Sequence, residues 1–127
     1  MNRQIIRTDN APSSSLYSQG VRAGSTIYVS GTVGIDPATG ELAGASIQEQ
    51  TRQALRNCEA ILQAGGATLA DVALVTVLLA HPDDFAGMNE AYAEVLGQIL
   101  PARAVARLGP DLGDIRVSVM MTAHTHD

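Results

Sequence analysis

Residues 46–66 read SIQEQTRQALRNCEAILQAGG, and residues 72–80 read VALVTVLLA. The apolar residues of the first stretch recur with the 3.6-residue period of a helix. They are Ile47, Ala54, Leu55, Cys58, Ile61 and Leu62. Ser46 and Glu49 have the spacing of a capping box, and Gly65-Gly66 is a typical stop. The second stretch has almost no polar residue, which favours a central strand. We therefore expect an amphipathic helix over 46–64 that packs on a sheet.

The rest of the chain predicts further strands and a second helix. Strands are expected over 3–8, 26–33, 103–108 and 115–123, of which 26–33 has the β-branched and aromatic composition of a buried strand. Residues 10–15 predict a loop, and Asp36-Pro-Ala-Thr-Gly40 predicts a turn.

The second helix is expected over 83–98, capped by Asp83 or Asp84 and followed by Pro101. Its inward residues are predicted to be Phe85, Met88, Tyr92, Val95, Leu96 and Ile99. The order β, β, α, β, α, β, β favours an α+β fold, a mixed sheet with two helices on one face. Because 72–80 is so apolar, we expect a partner subunit on the other face, and hence a homo-oligomer.

Composition predicts one soluble domain spanning residues 1–127. Apolar residues make up 46% of the chain, and no apolar run approaches the roughly 20 residues of a spanning helix. The start, Met1-Asn-Arg-Gln4, has no apolar segment behind it that would suggest a signal peptide. The single cysteine, Cys58, cannot form an internal disulfide, which agrees with a reducing compartment. We expect a cytoplasmic protein with no membrane partner.

The charged residues exclude several classes of function. The net charge is −5, and all eight basic residues are arginines. Without lysine, neither Schiff-base catalysis nor a Walker A phosphate loop is possible. An acidic chain with few aromatic residues also lacks the basic face of a nucleic-acid binder, so we expect no nucleic-acid partner.

Short motifs along nearly the whole chain point to one family. In order they are Asn10-Ala-Pro12, Tyr17-Ser-Gln-Gly20, Ile27-Tyr-Val-Ser-Gly31, Asp36-Pro37 with Thr39-Gly40, Asn57, Ala64-Gly-Gly66, Asp84-Phe85, Asn89-Glu-Ala-Tyr92 and Pro101-Ala-Arg103. Each is weak alone, but together and at matching spacing they resemble the Rid family, also called the YjgF family.

This resemblance implies a fold and an activity. The expected fold is chorismate-mutase-like, of the bacillus type: a six-stranded mixed sheet with two helices on one face, assembled as a homotrimer with clefts between subunits. The implied activity is deamination, the hydrolysis of 2-aminoacrylate and other 2-imino acids to the 2-keto acid and ammonia. It uses no metal and no organic cofactor, and its partner is a small carboxylate-bearing imine, enamine or keto acid.

Arg103 is the first candidate site residue, as both a catalytic and a substrate-binding group. A planar guanidinium can hold a carboxylate by two parallel hydrogen bonds, and the matching family arginine does so. The ordinary alternative is a surface ion pair. By the same resemblance Tyr17, Ser30, Gly31 and Asn89 are expected at the site. Each also has a structural alternative: a packed aromatic for Tyr17, a bulge or turn at Ser30-Gly31, and a helix–strand hydrogen bond for Asn89.

The chain departs from the family at the position of the catalytic base. Family deaminases carry a glutamate fifteen residues after the arginine, which orients and deprotonates the attacking water; here that position is Ser118. The loss of a positioned base typically costs about 10²–10⁴-fold in rate. Val105 stands where a cysteine often follows the arginine, and we assign it to the substrate site. Asp114 could approach the site as a base, although a turn is the simpler interpretation.

Three functions therefore stay open: a deaminase retuned by Ser118, an enzyme for a step without water such as tautomerisation or cyclisation, and a non-catalytic binder of carboxylate metabolites. We predict no metal site. His124 and His126 could share one face of a strand, but they lie at the chain end with only His81 and Cys58 as further soft ligands. Cys58 itself is expected to be a small core residue.

Overall fold

A computed structural model of the chain describes residues 3–126, in which helix α1 spans Ile47–Ala64. The predicted capping box is present: Glu49 N donates to Ser46 Oγ at 3.1 Å, and Ser46 N donates to the Glu49 carboxylate at 3.3 Å. The helix ends at Gly65, and Gly66 follows with a φ of +94°, a conformation that disfavours other residues. The helix thus begins one residue later than predicted, because Ser46 is its N-cap, and its last residue agrees with the prediction.

Six strands form one mixed sheet in the order β1-β2-β3-β8-β6-β7. Their bounds are Arg3–Ile6 (β1), Gly20–Ala23 (β2), Thr26–Val33 (β3), Val72–Leu79 (β6), Ala102–Arg107 (β7) and Val117–His124 (β8). Two short strands, β4 (Ile35–Asp36) and β5 (Glu41–Leu42), form a hairpin around the predicted turn. Only β6 and β7 run parallel, so the mixed six-stranded sheet is confirmed.

The sequence analysis missed β2 and the β4–β5 hairpin. These strands have four, two and two residues, which is too short to show a period of two. The first strand also ends at Ile6, two residues earlier than expected. These differences shift no element that carries a predicted site residue.

Both helices pack on one face of the sheet. The fully buried core includes Ile27, Leu55, Ile61, Leu62, Met88, Leu96, Val75, Val77, Val117 and Val119. Burial alternates along β3, where Ile27 and Val29 are buried but Tyr28 is 52% exposed. The prediction that 26–33 is a buried strand therefore holds for one face only. Cys58 is fully buried in this core, as predicted.

Helix α2 (Phe85–Leu96) follows a short 3-10 turn, Pro82–Asp84. Asp84 occupies the N-cap position, but its carboxylate accepts from Arg116 Nη1 at 3.1 Å instead of capping the backbone. Met88 and Leu96 are buried, and Tyr92, Val95 and Ile99 pack partly against the core. Phe85 is 46% exposed, so its predicted inward position was wrong. Neither α1 nor α2 is long and apolar enough to cross a membrane.

The second face of the sheet is open in the single chain. It presents three large apolar side chains: Tyr28, Leu74 and Met120, which are 52%, 43% and 43% exposed. They lie on adjacent strands β3, β8 and β6 and point away from the helices, since their sequence neighbours are the buried core residues. We call this surface the open sheet face.

Candidate active site

The predicted site residues fall into two separate clusters. Tyr17, Ser30 and Gly31 line one cavity of about 110 Å³, and Ser118 lies beside Gly31, since a Cβ added to Gly31 would lie 3.0 Å from Ser118 Oγ. We call these four residues the serine cluster. Asn89, Arg103 and Val105 form the second group, which we call the arginine cluster: Arg103 Nη1 donates to Asn89 Oδ1 at 2.7 Å, and Val105 lies two residues further along β7.

Strand register places Arg103 and Ser118 on opposite faces of the sheet. Arg103 pairs with Val75, whose side chain is fully buried on the helix side. Ser118 pairs with Leu78, three residues further along β6 and therefore on the other face. Strand β6 also lies between β7 and β8. A small ligand held by Arg103 thus has the sheet between itself and Ser118 of the same chain.

Helix α2 holds the Arg103 guanidinium from one side. Its carbon lies 4.8 Å from the centroid of the Tyr92 ring and 5.9 Å from that of Phe85, both within cation–π range. Phe85, Asn89 and Tyr92 are spaced i, i+4 and i+7, so they share one face of the helix. The predicted helix–strand hydrogen bond of Asn89 is therefore present, and its strand partner is Arg103 itself.

Arg103 has no carboxylate partner among residues 3–126. The ion pairs among these described residues join Arg52 to Glu94, Arg116 to Asp84, and His126 to Asp71. One hydrogen bond to Asn89 uses one of the five N–H donors of a guanidinium. The charge of Arg103 is thus positioned by aromatic rings and an amide, with donors left for a ligand.

Tyr92 is an unusual neighbour for this charge. Burial raises the pKa of its phenol, an effect that the nearby Arg103 charge opposes. The Tyr92 hydroxyl oxygen is buried and has no hydrogen-bond partner within the described residues. The ring therefore stays neutral near physiological pH and offers its face to the guanidinium.

A β-bulge shapes the serine cluster. The pairing of β3 with β8 shifts register between Val29 and Thr32, which leaves Ser30 and Gly31 out of the regular ladder. Ser30 Oγ donates to Ser18 O at 2.6 Å, and Ser30 N donates to Gln19 O at 2.9 Å. The expected structural role at Ser30-Gly31 is thus present, and the bulge turns both residues toward the cavity.

Gln19 fixes the loop that carries Tyr17, and the sequence analysis gave it no role. Its buried amide nitrogen donates to the carbonyls of Thr8, Ala11 and Pro12 at 3.0 Å each, and its oxygen accepts from Thr8 N at 2.8 Å. The only sequence signal for this role of Gln19 was its position in the motif Tyr17-Ser-Gln-Gly20. Tyr17 is 57% exposed at the rim of the cavity and is therefore not packed in the core.

No acidic residue lines the serine-cluster cavity, which is bordered by Pro12, Ser13, Tyr17, Gln19, Ser30, Gly31, Thr32, Val33, Ile35 and Ile61. Ser118 is 6% exposed. Asp114 lies in the 113–114 turn, as predicted, and lines a different cavity together with His81 and Arg116. Within one chain the serine cluster therefore has hydroxyl groups but no carboxylate base.

The remaining candidates lie outside both clusters. His124 Nδ1 is 3.1 Å from Thr26 Oγ1, and His126 is 3.9 Å from Asp71. Cys58 is buried in the core, and burial raises its pKa to about 12, so its thiol stays protonated. In the part of the chain that the structure describes, no three His, Cys, Asp or Glu residues are grouped as metal ligands would be.

Comparison with known proteins places this architecture in one family. A family model described as Endoribonuclease L-PSP matches residues 8–124. The chain is 42% identical to a RutC family protein of Pyrococcus horikoshii, over 96% of this chain and 98% of that one. It is 44% identical to the 2-iminobutanoate/2-iminopropanoate deaminase of Mus musculus, over 80% of this chain and 76% of that one.

Solved structures give the same result. The YjgF gene product of E. coli superposes with a TM-score of 0.90 at 31% identity, covering 97% of this chain and 99% of that one. E. coli TdcF with bound serine superposes with a TM-score of 0.89 at 32% identity, covering 96% and 98%. The sequence motifs, the sheet order and these matches agree, and the chain belongs to the Rid (YjgF) family.

Proposed function

We propose that this protein hydrolyses carboxylate-bearing imines or enamines at sites formed between the subunits of a homotrimer. The observation that carries the proposal is Arg103, a positioned guanidinium without a carboxylate partner among residues 3–126. A relative that is 42% identical over 80% of the chain, from Homo sapiens, is named 2-iminobutanoate/2-iminopropanoate deaminase. That name suggests 2-imino acids as the substrate class, and Arg103 is a group that could bind the carboxylate of such a substrate.

Two features support a site shared by two chains. Arg103 and Ser118 lie on opposite faces of one sheet, so a small ligand could meet both groups only if a neighbouring chain supplied the second one. The open sheet face exposes Tyr28, Leu74 and Met120, an apolar surface that a neighbouring sheet would cover. Cyclic symmetry would then repeat the same contact at every subunit boundary.

The chemistry follows from this arrangement. Arg103 would hold the substrate carboxylate by two parallel hydrogen bonds, which directs the C=N carbon toward the serine cluster of the adjacent subunit. Water adds to that carbon, its protons pass to the nitrogen, and the C–N bond breaks to release ammonia and the 2-keto acid. Ser118 and Ser30 can orient the water by hydrogen bonds, but a serine hydroxyl does not ionise near neutral pH.

The serine-cluster cavity also supports a second candidate. No carboxylate lines this cavity, so it has no group to deprotonate an attacking water. A reaction in which water does not attack, such as tautomerisation or cyclisation of a carboxylate-bearing intermediate, is therefore equally compatible with it. RNA cleavage, which the description of the matching family model suggests, has less support. The net charge of −5 repels a polyanion, and neither cluster contains a stacking platform for bases beyond Tyr17.

The deciding experiment measures ammonia and keto-acid release. An amino-acid oxidase would generate 2-iminopropionate and a bulkier imino acid in the presence of the wild type, Ser118→Glu or Arg103→Ala. Deamination predicts release by the wild type well above the spontaneous rate, about 10²–10⁴-fold faster release by Ser118→Glu if the carboxylate becomes a base, and no release above the spontaneous rate by Arg103→Ala. Acceleration by Ser118→Glu alone would favour the reaction without water, or simple binding of a carboxylate metabolite.

A further inference from the structure

An apolar groove continues from the arginine cluster along β7. It is lined by Leu79, Pro82, Phe85, Val105, Ala106 and Arg107, and encloses about 540 Å³. We call it the Val105 groove. Arg107 at one end is exposed, while the other lining side chains are apolar. The space exceeds what a methyl or ethyl group needs, and apolar walls favour an apolar occupant.

Two residues that line the groove, Val105 and Phe85, lie close to Arg103. Val105 lies two residues after Arg103 in the same strand, so both side chains project from the helix side of the sheet, about 7 Å apart along β7. Phe85 belongs to both places, because its ring lies 5.9 Å from the guanidinium carbon and also forms a wall of the groove. A ligand whose carboxylate is bound by Arg103 therefore has the Val105 groove beside it.

The substrate carbon carries three groups, which this geometry separates. The carboxylate would meet Arg103, and the C=N group must face the serine cluster of the adjacent subunit for attack by water. The third group, the side chain, can then enter the Val105 groove, whose wall residue Phe85 also contacts Arg103.

We propose that the Val105 groove is a side-chain subsite and that this protein prefers 2-imino acids with branched or aromatic apolar side chains to those derived from alanine. This inference rests on the proposed function and names its substrate class. Each methylene group buried in an apolar site raises affinity by a factor of about four. An isobutyl group in place of methyl should therefore raise affinity by about 50-fold when fully buried.

Calorimetry with stable 2-keto acids tests the subsite. Pyruvate and 4-methyl-2-oxopentanoate would be titrated into the wild type, Val105→Phe, Arg103→Ala and Ala38→Phe. The measured quantity is the ratio of the two affinities. We expect a wild-type ratio of at least about 10-fold in favour of the isobutyl acid, and a ratio near or below one in Val105→Phe, whose ring fills the groove.

The control Ala38→Phe adds the same bulk on an exposed turn and should keep the wild-type ratio. A wild-type ratio near one, with binding that Arg103→Ala abolishes, would contradict the subsite alone. If Val105→Phe leaves the ratio of the two affinities unchanged, that result would also contradict the subsite. If neither acid binds the wild type, or if Arg103→Ala binds as well as the wild type, the proposed function is wrong and the subsite falls with it.

Discussion

Arg103 is held in place before any ligand arrives. The ring of Tyr92 at 4.8 Å, the ring of Phe85 and the Asn89 side chain come from one face of α2 and restrict its rotamers. A side chain that is ordered in advance loses less entropy on binding. The resemblance to a family pointed to Arg103 and Asn89, whereas Phe85 was predicted to lie in the core. No sequence signal separates a core aromatic from one that packs under a guanidinium, because both recur at helical spacing.

The first prediction concerns this arginine. Arg103→Ala should weaken binding of a small 2-keto acid by about 1.5–3 kcal/mol, because a charge-assisted hydrogen-bonded pair is lost. Arg103→Lys should recover only part of the loss, since an ammonium keeps the charge but not the planar pair of donors. Isothermal calorimetry would measure both. An unchanged affinity in Arg103→Ala would remove this residue from the site.

At the scale of elements, buried amide side chains join segments that are distant in sequence. Asn57 Nδ2 on α1 donates to Val33 O at 3.0 Å and to Ile35 O at 2.8 Å, which fixes the end of β3 beside the serine cluster. Gln50 does the same for the 108–116 loop, donating to Asp114 O at 3.0 Å and accepting from Arg116 N at 2.8 Å. The periodicity of α1 predicted its apolar stripe but not these contacts, because their partners are backbone groups of irregular segments.

The second prediction tests one of these amides. Asn57→Ala should lower the free energy of unfolding by about 1–3 kcal/mol, because two carbonyls near the core lose their donor. Urea denaturation followed by circular dichroism would measure it. Arg56→Ala, an exposed change on the same helix, should stay within about 0.5 kcal/mol of the wild type. Equal losses in the two variants would contradict a specific contribution of the Asn57 amide contacts to stability.

The third prediction concerns pH and Cys58. Burial raises the pKa of this thiol from its ordinary value of 9.0 to about 12. The unfolded thiol therefore loses its proton first, so stability is complete below pH 9 and falls as the pH rises from about 9 to about 12. The expected slope from this group is about 1.4 kcal/mol per pH unit. Cys58→Ala should show a shallower decline in urea denaturation over that range, and parallel curves for the two proteins would contradict a raised pKa.

At the scale of the whole molecule, the sequence predicted both helices, the mixed sheet and the order of the long strands along the chain, because long periodic segments carry strong signals. It did not predict the order of the strands within the sheet. The strands β2, β4 and β5 could not, since their pairing depends on neighbours rather than on their own composition. The two-cluster arrangement was equally out of reach. Which face of a sheet a residue occupies follows from strand register, and the β6 partners of Arg103 and Ser118, Val75 and Leu78, are an odd number of residues apart.

The fourth prediction concerns the open sheet face. Leu74→Glu places a charge on this exposed apolar surface and should convert the proposed trimer to monomers, with loss of keto-acid binding. Light scattering coupled to gel filtration would give the mass. Arg56→Glu, on the exposed side of α1, should leave the mass unchanged. A Leu74→Glu protein with the mass of the wild type would mean that subunits meet elsewhere.

In the proposed trimer, one site takes its arginine cluster and its serine cluster from two different chains. The measurement that tests it is calorimetry of 4-methyl-2-oxopentanoate binding to mixed oligomers of Arg103→Ala and Gly31→Val, assembled by co-refolding at equal ratio. Gly31→Val crowds Ser118 Oγ, which already lies 3.0 Å from the position of a Cβ. Each variant alone should bind at least about 10-fold more weakly than the wild type. Random mixing should restore the wild-type affinity at about one quarter of the sites, because some boundaries then combine two intact clusters. A mixture without sites of wild-type affinity, although both variants fold and assemble, would show that no site is shared between chains.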